Sequence, residues 1–280
     1  MKIGKIVYIT VIVLLVAVFA VSAFKVGSYW LSSSKQQNEF EDLAAMKEQA
    51  AQQDTQPPET EAPEITEAPE ETTEATEETE PTEPQILPDY ASIYETNNHV
   101  AGWIKIDGTK INYPVMHTPE EPNYYLKRNF NGEYSEHGCI YIREECDMLE
   151  PSDNITVYGH NMLDGSMFAY LLKYENKETW EYNPLIFFDN LYEYHVYKIF
   201  AVFKTEASID KGFKYHNMID AKDKADFDNF IATAKELSFY DTGITPKYGD
   251  KIICLSTCEY SQVNGRLVIA AVRNADSPAS

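Results

Sequence analysis

Three residue types that can do acyl-transfer chemistry stand at the ends of strand-like runs. The apolar run Lys251-Ile252-Ile253-Cys254-Leu255 stops at Ser256-Thr257-Cys258, and Arg266 follows shortly after. About a hundred residues upstream, Ile155-Thr156-Val157-Tyr158 stops at Gly159-His160. Each run has the form of a strand that delivers a reactive side chain at its C-terminal end. A thiol is a weak nucleophile until it ionises, and a neighbouring imidazolium or guanidinium favours the thiolate. Each residue alone has a plainer reading. A single cysteine is more often a small core residue, and a single histidine a hydrogen-bonded surface group.

The elements that must position these groups are short. Strand-like runs cover Ala101–Ile106, Lys110–Val115, Gly138–Ile142, Asn154–Tyr158, Glu193–Lys204, Lys251–Ser256 and Leu267–Val272. Turn signals such as Asp107-Gly108, Asn131-Gly132 and Tyr248-Gly249-Asp250 separate them. Helical spacing appears over Asp89–Asn98, over Ser166–Leu172, and over Lys222–Leu237, where Phe227, Phe230, Ile231 and Ala234 share a face. Many short strands with few helices point to a mostly β fold, a closed or nearly closed barrel with helices inserted in its connections.

The 280 residues also carry appendages. Ile6 to Phe24 is an unbroken apolar run, about 28 Å long as a helix, which matches a bilayer's hydrocarbon thickness. Lys2 and Lys5 precede it, favouring a cytoplasmic N-terminus and an extracellular remainder. The run exceeds the usual signal-peptide core, so an anchor through residues 6–24 in membrane lipid is the reading taken. A cleaved signal using Val21-Ser22-Ala23 is the alternative. Residues 26–85 then form a juxtamembrane segment and a tether. Ser32 to Gln53 has weak helical potential, with Glu39, Leu43, Met46 and Ala50 roughly on one face. From Asp54 to Pro84 the chain is nearly all Glu, Thr, Pro and Ala and holds twelve of the negative charges behind the net charge of −22. Such a stretch cannot bury enough apolar surface to fold, and reads as a disordered stalk with a reach of roughly 40–50 Å. The folded domain spans 86–275, and 276–280 is a tail. The acidic balance excludes a basic nucleic-acid footprint. Cys254 and Cys258 lie about 13 Å apart along one strand, too far for a disulfide, and no obligatory bridge is expected.

The strings around the candidate residues bring a resemblance. Leu255-Ser256-Thr257-Cys258 followed by Gly265-Arg266-Leu267-Val268-Ile269 resembles the nucleophile and arginine strands of the sortases. Tyr158-Gly159-His160-Asn161-Met162 with Gly165-Ser166-Met167-Phe168 is similar to the histidine segment of class B sortases. So are Val100-Ala101-Gly102-Trp103-Ile104, Ile111-Asn112-Tyr113-Pro114-Val115 and Tyr124-Tyr125-Leu126 to that class's opening segments, and the helix before the nucleophile strand lies where class B enzymes carry one. The likeness covers about residues 86 to 274.

The resemblance implies an eight-stranded barrel and a membrane-tethered cysteine transpeptidase of Gram-positive type. Cys258 would attack a Thr carbonyl in the C-terminal sorting motif of an exported protein. The acyl group would pass to an amine of cell-wall peptide or of a pilin. His160 would serve as general acid and then base, and Arg266 would stabilise the oxyanion or hold substrate. Thr257 and Ser256 are candidate substrate contacts, although a strand-end hydroxyl often only satisfies local backbone. Glu259 is expected to face solvent, since a close carboxylate would oppose thiol ionisation. Arg273 is expected beyond the active end of its strand, and His117, His137, His195 and His216 have no motif behind them. Substrate-reading loops are expected at Phe187–Leu191 and Ser208–Ile219. No cofactor and no metal are expected, there being no carboxylate cluster like the calcium site of class A enzymes. The other readings are a cysteine peptidase that hydrolyses without transfer and a stalked surface domain that binds without chemistry.

Overall fold

The computed structural model describes residues 2–54, 84–208, 210–261 and 263–274. Helix α1 (Lys2–Asp54) leads into α2 (Pro88–Thr96), and the strands follow: β1 (Val100–Lys105), β2 (Asn112–Met116), β3 (Ile140–Ile142), β4 (Asn154–Tyr158), β5 (Leu185–Asn190), β6 (Val196–Glu206), β7 (Ile252–Cys258) and β8 (Gly265–Arg273). They close into a barrel in the order β1-β2-β3-β4-β7-β8-β6-β5. Two helices interrupt the strands, α3 (Lys177–Tyr182) before β5 and α4 (Lys224–Leu237) between β6 and β7.

The central strands read as continuous apolar runs because both their faces are buried. Ile253 and Leu255 of β7, with Leu267, Ile269 and Ala271 of β8, join the main core cluster. Their alternates Ile252, Cys254, Val268, Ala270 and Val272 face a second cluster built on α4. This is the period-two alternation of a strand. α4 supplies Phe227, Phe230, Ile231 and Ala234 to that layer, at the spacing read from the sequence. Its start is capped by Asp223, whose carboxylate accepts from the Asp226 N–H at 2.9 Å. Each large side chain buried there contributes about 1.5–3 kcal/mol.

Three expectations are corrected. Phe187–Leu191 is not a loop: residues to Asn190 belong to β5, which pairs with both β1 and β6. Its Ile186, Phe188 and Asn190 are buried and alternate with half-buried neighbours, so adjacent aromatics masked an ordinary strand period. The helix read over Ser166–Leu172 is a 3₁₀ helix over Ala169–Glu175. Finally, the face of α1 that meets the barrel is not Glu39, Leu43, Met46 and Ala50. Gln36, Phe40 and Leu43 are buried and Met46 is exposed. The docked stripe runs through Tyr29, Ser33, Gln36, Phe40, Leu43 and Lys47, a 4-3-4-3-4 spacing that keeps one helix face inward. Half of the segment read as tether is therefore helix lying on the barrel. The Glu/Thr/Pro stretch from 55 to 83 lies outside the described residues.

Polar groups fasten this helix as well as apolar ones. The Gln36 amide donates to the Gly138 carbonyl and its oxygen accepts from the Ser135 hydroxyl. Lys47 lies 2.8 Å from Asp89 and 3.4 Å from Asp189, and its ammonium sits 4.7 Å from the centre of the Tyr90 ring. Residues 7–24 of the same helix are all exposed among the described residues and present Val, Ile, Leu and Phe side chains on every side.

Candidate active site

β7 delivers Cys258 with a partner on each side. Antiparallel β8 sets Arg266 directly opposite Cys258 in register. Parallel β4 sets Tyr158 opposite Ser256, so the chain leaving β4 carries Gly159 and His160 past the end of β7 that bears Cys258. Gly159 continues the ladder, its N–H donating to the Ser256 carbonyl at 3.1 Å. A Cβ at this glycine would stand 2.5 Å from Ile140 and 2.6 Å from the Phe168 ring, so only glycine lets the chain turn there.

One cleft of about 70 Å³ is lined by Cys258, His160 and Arg266 together with Leu126, Tyr141, Tyr158, Gly159, Ser256 and Thr257. The three side chains singled out in the sequence thus meet at one rim of the barrel. A larger cleft of about 410 Å³ lies between α1 and strands β1 and β5, and it holds none of the three.

Around the cleft, hydrogen bonds fix the reactive groups. His160 Nε2 lies 2.7 Å from the Leu126 carbonyl oxygen. A carbonyl only accepts, so Nε2 carries a proton and Nδ1 is the nitrogen left to exchange one. Asn161 donates from Nδ2 to the Cys258 carbonyl at 3.2 Å, tying the histidine loop to the strand end. The Arg266 guanidinium donates to the Gly265 carbonyl at 3.0 Å through one of its five N–H donors.

Ser256 and Thr257 line the cleft but use their hydroxyls internally. Thr257 Oγ1 donates to the Gly159 carbonyl at 2.8 Å. Ser256 Oγ and the Tyr215 hydroxyl are 2.6 Å apart, and Tyr215 is carried by the connection from β6 to α4. Asn154 anchors that connection by donating to the Tyr215 and Met218 carbonyls, at 2.9 and 2.8 Å. So the Ser208–Ile219 segment does reach the site.

Glu259 departs from expectation. It is buried rather than solvent-facing, and Lys204, two strands away on β6, lies 3.3 Å from its carboxylate. Burial raises its carboxyl, but hydrogen bonds from Ser261 and Lys204 outweigh this and leave it below the usual carboxylate range. Its carboxylate is thus held by Lys204 and Ser261.

The remaining candidates stand elsewhere. Arg273 lies at the other end of β8 and pairs with Glu193 at 3.3 Å. His195 pairs with the same glutamate, and His137 with Asp164 at 2.9 Å. His216 follows Tyr215, whose hydroxyl meets Ser256 at the cleft. Burial, with the charges of Arg143 and Lys214, lowers its pKa, and Arg266 acts on it in the same direction. All four cysteines are free thiols. Burial pushes Cys139 and Cys254 up, and Cys146 to about 11. Among the described residues, no group of three or more His, Cys, Asp or Glu side chains is placed to hold a metal ion.

Leu126, Asn161 and Tyr215 were not singled out from the sequence. The first two sit inside strings that carried the resemblance. Tyr215 had no signal beyond being an aromatic in a polar loop.

Comparison with known proteins agrees with this architecture. The family model of the Sortase domain matches residues 104–274. The chain is 30% identical over 189 residues to Sortase B of Listeria monocytogenes, covering 66% of this chain and 74% of that one. It is 29% identical over 188 residues to Sortase B of Staphylococcus aureus, covering 66% and 75%. Among solved structures, a Staphylococcus aureus sortase B–substrate complex superposes with a TM-score of 0.71 at 23% identity, covering 88% of this chain and all of the other. Sortase B of Clostridium perfringens gives 0.59 at 29% identity, covering 65% and 98%. The chain therefore belongs to the sortase family, on its class B side, and is a cysteine transpeptidase of the sortase type.

Proposed function

We propose that Cys258 is the nucleophile, His160 the general acid and base, and Arg266 the cation that stabilises the oxyanion. The convergence of the three in one cleft carries this reading. The Cys258 thiol passes its proton to the free Nδ1 of His160, and the thiolate adds to the carbonyl of a Thr in the C-terminal sorting motif of an exported protein. Arg266 donates to the oxygen on which charge develops. The tetrahedral adduct collapses as His160 gives its proton to the departing amine, which leaves a thioester on Cys258. An incoming amine, from cell-wall peptide or a pilin subunit, loses its proton to His160 as it attacks. The amide forms and the thiolate is released. Tyr141 and Tyr158 wall the cleft; burial, foremost, raises both phenols above their ordinary value, so both stay neutral.

The same reading places the enzyme at the cell surface. Residues 6–24 span the membrane with the N-terminus inside, and the barrel lies outside. The exposed apolar girdle of α1 supports this, because such a surface is stable only in lipid.

Cleavage of a sorting-motif peptide library, with a nucleophilic amine added and products read by mass spectrometry, tests the proposal. Wild type yields an amine-capped product, and Cys258→Ala yields none while keeping its melting temperature. His160→Ala and Arg266→Ala lose at least about a hundredfold in kcat/KM. Turnover by Cys258→Ala equal to wild type refutes the assignment, and free acid alone as product refutes transfer.

A further inference from the structure

The loop that follows His160 is tightly closed yet presents an apolar tip. The Phe168 N–H donates to the His160 carbonyl at 2.9 Å, and the Gly165 N–H to the Met162 carbonyl at 3.0 Å. Asn161 bridges to Met167 across the loop. Asp164 Oδ1 accepts from the Ser166 N–H at 2.9 Å and its hydroxyl at 2.6 Å. At the tip Leu163 is 97% exposed. One exposed leucine means nothing by itself. Its neighbours give it meaning.

The tip lies against α1 where that helix emerges from its apolar stretch. The Tyr29 hydroxyl rests against the backbone of Leu163 and Asp164, and the Tyr29 ring stacks on His137 at 5.5 Å. Ser33, one turn on, donates to Asp164. Trp30 and Leu31 follow Tyr29 and are exposed. α1 is unbroken from Lys2 to Asp54, so its rise fixes how far each residue stands from the apolar run. Tyr29 is about 7.5 Å beyond Phe24, at the outer part of the headgroup layer. Tyrosine and tryptophan settle at that level. Asp164, the one charged residue from 161 to 167, is paired with His137 and turned inward, its side chain 4% exposed. Nothing in the loop opposes contact with lipid.

We propose that the Leu163 loop rests in the headgroup region of the bilayer that α1 crosses, so that the Cys258 cleft opens at the membrane surface. The partner of this face is a lipid surface, argued from its continuity with the apolar girdle of the same helix. The barrel is then held at the membrane by α1, not set 40–50 Å away on a flexible stalk. Substrates that reach the cleft are chains already held at the bilayer. The proposal rests on the reading of residues 6–24 as a membrane span.

Spin labels on the full chain test it. In a Cys258→Ser background the other three cysteines are buried. Single labels are placed through Leu163→Cys, Leu15→Cys and Leu149→Cys. Leu149 lies in the connection between β3 and β4, at the opposite end of β4 from His160, and is exposed. The protein is reconstituted in nanodiscs of phosphatidylcholine and phosphatidylglycerol, and power saturation is read with oxygen and with a water-soluble nickel chelate. The expected result is a label at 163 reached by nickel at least threefold less than the label at 149, with oxygen access kept. If 163 reads as 149 does while 15 reads as hydrocarbon, the proposal is overturned and the span stands. If the label at 15 is open to nickel, the span reading falls and the proposal with it. Shielding of 163 from both reagents marks a protein partner and also overturns it.

Discussion

Lys47→Met removes the one cation that α1 brings to two carboxylates of the barrel side, and its cost follows from their burial. Asp89 is 1% exposed at its side chain, Asp189 16% and Lys47 17%, so all three are largely withdrawn from water. Taking one partner from a buried pair leaves an uncompensated charge and costs about 3–5 kcal/mol, and the residual exposure of Lys47 argues for the lower end, about 3. For a domain of this size that is a fall of roughly 6–12 °C in melting temperature. The pH dependence is more specific. Burial holds the Asp189 carboxyl above its ordinary value, and the charge of Lys47 is the largest influence pulling it back down. A carboxyl raised in the folded state adds stability below its unfolded value near 4. That stability is lost as pH climbs through the folded value. Without Lys47 the folded value moves further up and the losing window extends toward neutrality. Lys47→Met is therefore expected to be strongly destabilised at pH 7.5 and to recover part of the loss at pH 5, relative to wild type at each pH. Adding Asp89→Asn should restore part of the loss at pH 7.5, because one orphaned charge is gone. Thermal melts of the full chain in detergent measure all three. A Lys47→Met variant within 1 kcal/mol of wild type at both pH values would refute the reasoning and undock the second half of α1.

Two further perturbations probe the cleft. Thr257→Val deletes the hydroxyl that holds the Gly159 carbonyl while keeping the side chain's shape. It is expected to lower the melting temperature by about 2–4 °C, the effect of about 1 kcal/mol. It should reduce kcat several-fold by loosening the His160 segment, with KM unchanged and with rescue by Thr257→Ser; a raised KM at constant kcat would instead make Thr257 a substrate contact. Alkylation of the native protein by iodoacetamide at pH 7.5 should give a single adduct, on Cys258. The Cys146 thiol, held at about 11, is ionised in only about one molecule in 3,000 at that pH, and Cys139 and Cys254 are buried besides. A second adduct before unfolding, located by peptide mapping, would contradict the described packing.

What could be read from the sequence, and what could not, divides along a physical line. Asn154–Tyr158 was legible to the residue because β4 is short, apolar and bounded by turn signals. α4 was legible because four apolar side chains, three of them large, repeat at helical spacing. Cys258, His160 and Arg266 could be singled out because the strings around them resemble sortase motifs, whereas each side chain alone has a plainer reading. β5 was hidden because Phe187 and Phe188 stand side by side and Asp189 puts a charge in the run. The alternation emerges only once β1 and β6 are known to flank it. The supports of the site were hidden for a different reason. Leu126 holds His160 with a backbone carbonyl, a group that every residue carries and that no residue type advertises. The docked face of α1 was hidden because it is largely polar. Ser33, Gln36 and Lys47 are not a stripe by hydropathy, and become one only through Asp164, Ser135 and Asp89, which lie far along the chain. This polar stripe carries a consequence for the enzyme. Ser33 of α1 bonds to Asp164 in the loop that follows His160, and the same loop is closed by the Phe168 N–H donating to the His160 carbonyl, so the helix and the His160 segment are packed on one loop. An anchor serving only as a leash would have no reason to make those bonds. On the membrane reading proposed above, they make α1 a strut that sets the height of the cleft above the bilayer.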